Sequence, residues 1–420
     1  MSIAERAPAS DAMEEELAAF RAEVLAWLEA NSTRRSRDVN EFKRRMSATS
    51  QSQDRELEHV AACKAWQRRI YDAGYAGLNV PEEYGGQGRS STEARVFQQE
   101  MARYEIDTGV FSVGLAMVVP TLLAHGTEEQ KRQHIPALLK GEAVWCQLFS
   151  EPGAGSDLAG LTTRAVRDGD EWVVDGQKVW NSFAHIADWG ILLARTDWDV
   201  PKHRGITYFL VDMTTPGVEA RPLRQITGVA HFNETFLDGV RIPNANVLGD
   251  PNGGWGVAQT TLMAERMLIG GGGMGLGFRD YVELARHYGR TTDPLIRQRL
   301  AQAYTRFEIL KWLGERARAA AKAGKPMGPE SSVAKLVISD HVARNGDLVL
   351  AIENAEGMLY SADAFEDGFW QQMFLGQWGI RIGGGTEQVQ RNILGERVLG
   401  LPAESRPDKT DAFRDVPKNA

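Results

Sequence analysis

The chain has 420 residues, of which 43% are hydrophobic and 25% are charged, a balance typical of a globular protein with two or three packed domains. Its 48 basic and 56 acidic residues give a formal net charge of -8, so the chain has no positive field to attract nucleic acid or an anionic membrane. The N-terminus lacks the apolar stretch of a signal peptide, and no later run approaches the roughly 18 apolar residues of a membrane span, so we expect a cytoplasmic protein.

The first predicted elements are helices. Apolar residues recur at three- and four-residue steps between Asp11 and about Lys140, with one interruption by a turn-rich segment at residues 77–88. The same period returns after Gly254, where the amphipathic pattern at residues 300–310 indicates one long helix of a bundle. The two ends of the chain are therefore predicted to be helical.

The middle of the chain has a different residue pattern. Short β-rich runs between residues 145 and 250 are separated by Asp-Gly pairs at Asp168-Gly169 and Asp175-Gly176, which predict hairpin turns. The order α, β, α predicts an α+β multidomain fold. Its parts are an N-terminal helical domain at residues 1–143, a middle β domain at 144–250 and a C-terminal helical domain at 251–420.

Two cysteines, Cys63 and Cys146, lie far apart in neither a CxxC nor a metal-ligand spacing. The eight histidines form no HExxH pattern, and no GxSxG elbow is present for acyl hydrolysis. We therefore expect reduced thiols and no metal site.

The first motif is Ser-Glu-Pro-Gly-Ala-Gly-Ser-Asp at residues 150–157. Its small residues, Gly155 among them, and the hydroxyl of Ser156 suit a loop whose backbone N–H groups face a phosphate. A plain turn entering the β domain explains the same residues equally well.

The second motif is Gly-Gln-Lys-Val-Trp-Asn-Ser at residues 176–182. Trp180 and Ser182 are two residues apart, so on a regular strand both would face one side, where they could pack on a planar ring and hydrogen-bond its edge. The alternative is a core tryptophan beside a surface serine.

The third motif is Gly-Gly-Gly-Thr-Glu-Gln at residues 383–388. The glycines permit close backbone approach, and Thr386 is placed to cap a helix, an arrangement that can bind an anion. A tight loop before a helix is the other interpretation.

These three motifs, in this order and flanked by GLNVPEEYGG at residues 77–86 and by Ala334-Lys335-Leu336, resemble the acyl-CoA dehydrogenase family over nearly the whole chain. The resemblance implies an N-terminal helical domain, a small β-barrel-like middle domain and a C-terminal four-helix bundle. It also implies FAD as cofactor, an acyl-CoA substrate of lipid β-oxidation, an electron-transferring flavoprotein as electron acceptor, and a homotetramer or heterotetramer.

The resemblance also assigns flavin contacts. Ser150 would meet the pyrimidine edge, Ser156 with Gly155 the pyrophosphate, Trp180 the isoalloxazine face, and Ser182 the region of N5.

Thr386 and Gln388 would touch the adenosine half of an FAD held partly by a neighbouring subunit. Glu353 and Gly357 occupy the family's Gln-x-x-x-Gly flavin segment, with Glu in place of Gln. Arg290 is the candidate partner of the pyrophosphate, in a segment that also departs from the family pattern.

The chemistry requires a carboxylate that removes a proton from Cα while hydride leaves Cβ for flavin N5. Many family members have this Glu before the Gly-Thr of the third motif, where this chain has Gly384. Isovaleryl- and long-chain-type members instead have the base on a bundle helix beside an arginine, and Glu265-Arg266 resembles that arrangement. The absence of a glutamate at residue 384 fits a base at residue 265, because a side chain at residue 384 would occupy the space into which Glu265 must reach.

The resemblance makes Glu265 the base, with Arg266 beside it. The backbone N–H of Gly384 and a flavin ribityl hydroxyl would polarise the thioester oxygen. Burial would raise the pKa of Glu265 and Arg266 would lower it. The alternative for Glu265 is a structural Glu–Arg pair on a helix surface.

Residues 270–275, Gly-Gly-Gly-Gly-Met-Gly, formally satisfy GxGxxG, but no strand-turn-helix context surrounds them, so we do not predict a dinucleotide-binding fold. The cluster indicates a tight helix crossing or a wide acyl pocket.

Two other functions fit the sequence besides a competent dehydrogenase. One is a non-catalytic partner subunit of a heteromeric dehydrogenase, which Gly384 favours and Glu265 opposes. The other is an oxidase or monooxygenase relative that admits oxygen to the flavin. Neither the length nor the branching of the acyl group, nor a polycyclic character, is readable from the sequence.

Overall fold

The computed structural model describes residues 8–34, 53–271, 276–324, 328–329, 332–403 and 410–417. The α-helices are α1 (Pro8–Asn31), α2 (Gln53–Asp72), α3 (Ser91–Met101), α4 (Val119–His125), α5 (Glu128–Lys140), α6 (Gly254–Gly271), α7 (Phe278–His287), α8 (Pro294–Lys322), α9 (Ser332–Glu353), α10 (Phe369–Ile382) and α11 (Glu387–Ile393). The strands are β1 (Trp145–Leu148), β2 (Arg164–Asp168), β3 (Glu171–Ser182), β4 (Trp189–Arg195), β5 (Ile206–Asp212), β6 (Val218–Leu223) and β7 (Phe232–Pro243). The predicted α, β, α order is confirmed.

The chain divides into two compact units. The first contains the described residues up to Trp145, and the second begins at Cys146 and contains both the β-sheet and the C-terminal helices. The boundary predicted at residue 250 thus separates a sheet from helices inside one compact unit. Among the described residues, no helix combines the length and apolar character that crossing a bilayer requires.

The seven strands form one sheet in the order β1-β4-β2-β3-β7-β6, with β5 pairing with β4 beside that path. Buried apolar side chains such as Val174, Leu192, Phe209 and Leu237 form its core. The two long strands β3 and β7 pair antiparallel over most of their length, and β3 carries the second motif.

One of the two predicted Asp-Gly turns is wrong. Asp168-Gly169 lies at the hairpin between β2 and β3, but Asp175-Gly176 lies within β3, where the register shifts by a bulge. A Cβ at Gly176 would lie 2.5 Å from Oγ1 of Thr163. The glycine therefore permits close approach of a neighbouring segment, a tertiary reason that the local sequence does not reveal.

In the C-terminal region α9 is the central helix and packs against α6, α8, α10 and α11. Its buried positions, including Lys335, Ser339, Val342 and Val349, recur at three- and four-residue steps. The long helix predicted around residues 300–310 is α8. The prediction for residues 270–275 falls largely outside the described residues: α6 ends at Gly271, and residues 272–275 are not described.

Candidate active site

Glu265 lies on α6, and its carboxylate is turned towards the third motif. The backbone N–H of Gly384 and the side chain of Gln147 on β1 both hydrogen-bond to it. Burial raises the pKa of Glu265 above its ordinary value, and these hydrogen bonds, together with the charges of Arg266 and Lys335, oppose the rise without cancelling it. A carboxylate with a raised pKa is a stronger base near neutral pH.

The loop at residues 383–385 presents its amide to that carboxylate because the chain leaves helical geometry there. Gly384 and Gly385 have φ of 65° and 90°, in the left-handed region that glycine adopts without a steric penalty. Thr386 then caps α11, and its side chain accepts a hydrogen bond from the Val389 N–H at 3.3 Å. The cap predicted at Thr386 is confirmed.

Arg266 follows Glu265 on α6 and is half-buried. Burial lowers the pKa of its guanidinium, Glu265 counters this effect, and Arg397 adds to it. The adjacent charge therefore stabilises the ionised carboxylate through the electric field.

A buried ion pair between Lys178 and Glu151 fixes the start of the first motif. The ammonium of Lys178, which is fully buried, lies 2.8 Å from Oε1 of Glu151 and 3.0 Å from the carbonyl oxygen of Phe149. The other oxygen of Glu151 accepts from the Thr162 N–H at 2.7 Å. Glu151 is thereby held inside the protein, and the loop that follows it is held in place.

The outer part of this loop is open. Ser150 is half-buried, and its carbonyl accepts from the Val179 N–H at 2.9 Å. Gly155 and Ser156 are exposed, and a Cβ at Gly155 would meet no atom within 4 Å. Space is therefore available beside the loop for a ligand that its amides and hydroxyls could bind.

Trp180 sits in a second bulge of β3, between Val179 and Asn181, with a φ of 65°. Its side chain is 60% exposed and meets the edge of Phe232 at 6.1 Å. Ser182 is half-buried at the end of β3. The bulge breaks the regular alternation of the strand, so the two-residue spacing does not by itself place Trp180 and Ser182 on one face.

Comparisons with known proteins match all three parts of the chain. Models of the acyl-CoA dehydrogenase N-terminal, middle and C-terminal domains match residues 14–142, 146–240 and 252–399. The acyl-CoA dehydrogenase IpdE1 of Mycobacterium tuberculosis is 38% identical over 396 residues, which cover 92% of this chain and 98% of that protein. This chain belongs to the acyl-CoA dehydrogenase family. The predicted family and the predicted class, an oxidoreductase acting on CH–CH bonds, are confirmed.

Two solved structures resemble this acyl-CoA dehydrogenase in fold. The Tcur3481-Tcur3483 steroid ACAD shares 32% identity at a TM-score of 0.76, covering 96% of this chain and all of the solved one. The ChsE4-ChsE5 complex from Mycobacterium tuberculosis shares 27% identity at a TM-score of 0.71, with 96% and 100% coverage. Both names join two proteins.

Members of the acyl-CoA dehydrogenase family are flavoproteins, and the second unit of this chain has features that fit FAD. Trp180 is mostly exposed and has a positive φ, so its side chain adds little to the stability of the fold. The flat isoalloxazine ring of FAD would cover it. The open loop at Gly155 and Ser156 offers amides and a hydroxyl for a phosphate.

Replacing Trp180 with Ala is expected to weaken FAD binding by about tenfold, since aromatic contacts of this kind contribute roughly 0.5–1.5 kcal/mol beyond the area they bury. The unfolding midpoint of the FAD-free protein should change little because the indole is outside the core. Flavin release on dilution, followed by fluorescence, measures the effect. Trp312→Ala is the matched control, because Trp312 is 59% exposed on α8; equal FAD loss in both variants would refute the assignment.

The other predicted cofactor residues differ in whether their side chains are free for a ligand. Thr386 and the exposed Gln388 lie at the start of α11, next to the glycine loop. Arg290 forms an ion pair with Asp293 at 2.9 Å, so its guanidinium already has a partner within its own loop. Its role towards a pyrophosphate stays a prediction.

Glu353 is only 2% exposed and accepts a hydrogen bond from Nε2 of Gln371 at 2.9 Å. Burial and the neighbouring carboxylates of Glu356 and Glu366 raise its pKa to about 7. Gly357 lies in the following turn, where a Cβ would be 3.5 Å from Oε2 of Glu353. The carboxylate therefore faces the interior of its own chain, and its flavin contact stays a prediction.

Four side chains that lie around the candidate site were not predicted: Gln147, Lys178, Lys335 and Gln390. Gln147 precedes the first motif, whereas Lys178 lies inside the second, where a lysine in a strand gives a weak signal of an ion pair. Lys335 belongs to the flanking Ala-Lys-Leu, and its position on the buried stripe of α9 was the available clue.

Another cluster lies in the first unit. His59 approaches the Cys63 sulfur at 3.7 Å and an oxygen of Asp107 at 3.8 Å, a group whose types could ligate a metal. Burial raises the pKa of Cys63 to about 12, so the thiolate form that metals prefer is disfavoured. A His–Asp contact beside a buried thiol accounts for these distances, and the expectation of no metal stays a prediction.

Proposed function

We propose that this chain oxidises the Cα–Cβ bond of an acyl-CoA thioester to the trans-2-enoyl-CoA, with Glu265 as the base that removes the Cα proton. The observation that carries the proposal is the meeting of the Glu265 carboxylate with the Gly384 N–H. A base and a carbonyl-polarising donor must lie within reach of one thioester, because the proton leaves the carbon adjacent to the carbonyl.

The same amide has two acceptors in this scheme. Without substrate the Gly384 N–H acts on Glu265 and lowers its pKa. A thioester oxygen that accepts a hydrogen bond from this N–H would be polarised, which would acidify Cα. It would also remove one of the contacts that lower the pKa of Glu265, so the carboxylate becomes more basic as substrate binds.

FAD, when bound, supplies the acceptor for the hydride that leaves Cβ. The residues proposed to hold it are Ser150, Ser156, Trp180 and Ser182, with Gly155 admitting the phosphates and Thr386 and Gln388 contributing across a subunit boundary. An electron-transferring flavoprotein is the proposed electron acceptor.

For the substrate we propose a bulky, steroid-derived acyl-CoA in a β-oxidation sequence. The support is the similarity to a solved relative named as a steroid ACAD, at 32% identity over nearly the whole chain. Its name and that of the ChsE4-ChsE5 complex each join two proteins, which favours a heteromeric assembly over the homotetramer. The second candidate function, a partner subunit that completes another chain's site, follows from the same observation.

Anaerobic titration of the FAD-loaded protein tests the function. We expect a CoA thioester with a steroid side chain to bleach the flavin stoichiometrically and octanoyl-CoA to bleach it far more slowly. Bleaching only after a second dehydrogenase chain is added would establish the partner role. Absence of bleaching with every thioester, with or without a partner, would refute the proposal.

A further inference from the structure

A buried ammonium lies behind the glycine loop. Lys335 on α9 is 2% exposed, and its Nζ donates to the carbonyl oxygens of Ile380 at 2.7 Å and Arg381 at 3.3 Å and to the Ser339 hydroxyl at 3.0 Å. Both carbonyls belong to the last turn of α10. A positive charge is favourable there because the last carbonyls of a helix lack backbone donors and carry partial negative charge.

Lys335 binds the Ile380 carbonyl, which a longer α10 would use as a backbone acceptor. In a continuing α-helix the N–H of residue i donates to the carbonyl of residue i−4. The Gly383 N–H still does so, donating to the Gly379 oxygen at 2.8 Å. The next donor in that ladder would be Gly384, and its acceptor would be Ile380. Lys335 binds that acceptor. Gly384 has left helical geometry, with a φ of 65°, and its N–H acts on the nearby Glu265 carboxylate.

The other side of the loop is held by α11. Nε2 of Gln390, which is fully buried, donates to the carbonyls of Gly384 at 3.1 Å and Gly385 at 3.3 Å. An ion pair of 2.7 Å between Arg381 and Glu387 joins the end of α10 to the start of α11. The peptide groups on both sides of the Gly384 N–H are thus held, by Lys335 from α9 and by Gln390 from α11.

We propose that Lys335 is a positioning residue: by taking the Ile380 carbonyl it ends α10 and keeps the Gly384 N–H available to acceptors outside the helix. That the acceptor during turnover is a thioester oxygen rests on the function proposed above. Gln390 completes the arrangement by fixing the carbonyl side of the same glycines.

Lys335→Met tests this role, with binding of an acyl-CoA compared with binding of the matching CoA thioether, which lacks the carbonyl. The FAD-loaded wild type should prefer the thioester, and in the variant this preference should fall by roughly threefold to tenfold, the effect of losing one hydrogen bond. Thioether affinity should stay within about twofold, and kcat should fall by roughly 100-fold, as for loss of a carbonyl-polarising donor. Lys311→Met, at a 59% exposed lysine on α8, is the matched control and should change neither quantity.

Amide hydrogen exchange gives a second readout that does not involve activity. In substrate-free wild type the Gly384 amide should be protected only as long as Glu265 accepts from it, so Glu265→Ala should accelerate its exchange. In Lys335→Met the amide should instead be protected by Ile380, and Glu265→Ala should no longer accelerate its exchange. If Lys335→Met does not fold, Gln390→Met takes its place and should also reduce the thioester preference.

Equal loss of thioester and thioether binding in Lys335→Met, or an unchanged preference, would overturn the positioning role. Failure of the proposed function can be distinguished from failure of the positioning role. If Glu265→Gln remained active, the base assignment would fall, whereas the thioester preference of the wild type and its loss in Lys335→Met would still report on the loop.

Discussion

Replacing Glu265 with Gln is expected to slow reduction of the flavin by acyl-CoA by roughly 10²–10⁴-fold, the usual contribution of a positioned general base. Glutamine keeps the size of the side chain and can still pair with the Gly384 N–H and with Gln147, but it cannot accept a proton from carbon. Substrate affinity should therefore change far less than the reduction rate. Rapid-mixing absorbance under anaerobic conditions measures both.

The rate of flavin reduction by acyl-CoA should increase with pH. Burial raises the pKa of Glu265, so the carboxyl is protonated and inactive below that raised value, and the rate should increase with pH as the proton is lost. The charges that face it are those of Arg266 and Lys335, which oppose the rise. The residual rate of Glu265→Gln should lack this acid limb, whereas Glu283→Gln, an isosteric change at an exposed position, should retain it. An unchanged limb in Glu265→Gln would identify another group as the base.

Lys178→Met is expected to destabilise the protein by about 3–5 kcal/mol, because it leaves the carboxylate of Glu151 buried without its counter-ion. Burial makes this pair expensive to form and also lowers the pKa of Lys178, so its contribution lies in fixing the loop at residues 150–157. FAD binding should weaken together with stability. Urea unfolding measures the loss, and Lys202→Met is the matched control: its partner Asp157, at 2.9 Å in the same loop, is 63% exposed, so the cost should stay below about 1 kcal/mol.

This pair also predicts how stability depends on pH. Burial tends to raise the pKa of Glu151, but the charge of Lys178 and the hydrogen bonds from Lys178, Thr162 and Thr163 outweigh it and hold the pKa at about 2. A depressed carboxyl pKa adds stability above the unfolded value of 4.5, and this contribution is lost as the pH falls from 4.5 towards 2. Lys178→Met should lose much of that acid dependence; a full wild-type dependence in the variant would contradict the role of the pair.

The order of elements was predictable because periodicity depends on local sequence. The helical steps before residue 140 and the β-rich runs after residue 145 correspond to α1–α5 and to the seven-stranded sheet. Asp175-Gly176 was misjudged because the same dipeptide suits a hairpin turn and a bulge, and pairing with β7 decides between them. Whether Trp180 and Ser182 share a face was likewise not predictable from their spacing, since a second bulge interrupts the alternation of β3.

The candidate site was predictable only in part. Glu265 followed from the resemblance, and the structure adds that its carboxylate meets the Gly384 N–H and the Gln147 side chain. Lys335 was not predictable, because its acceptor Ile380 lies 45 residues further along the chain and its meaning depends on where α10 ends. For Glu353 the resemblance predicts a cofactor contact, and the structure adds that its buried carboxylate accepts a hydrogen bond from Gln371.

Whether Glu265 takes the Cα proton can be measured by following that proton in a reaction that cannot go on to hydride transfer. An acyl-CoA analogue with sulfur in place of Cβ cannot lose hydride, so incubating it in D₂O with the FAD-loaded protein and recording the Cα signal by NMR isolates proton removal from oxidation. We expect the wild type to exchange the Cα proton for deuterium and Glu265→Gln to leave it in place. Exchange at the wild-type rate in Glu265→Gln would show that another base acts, even though the fold and the family would stand.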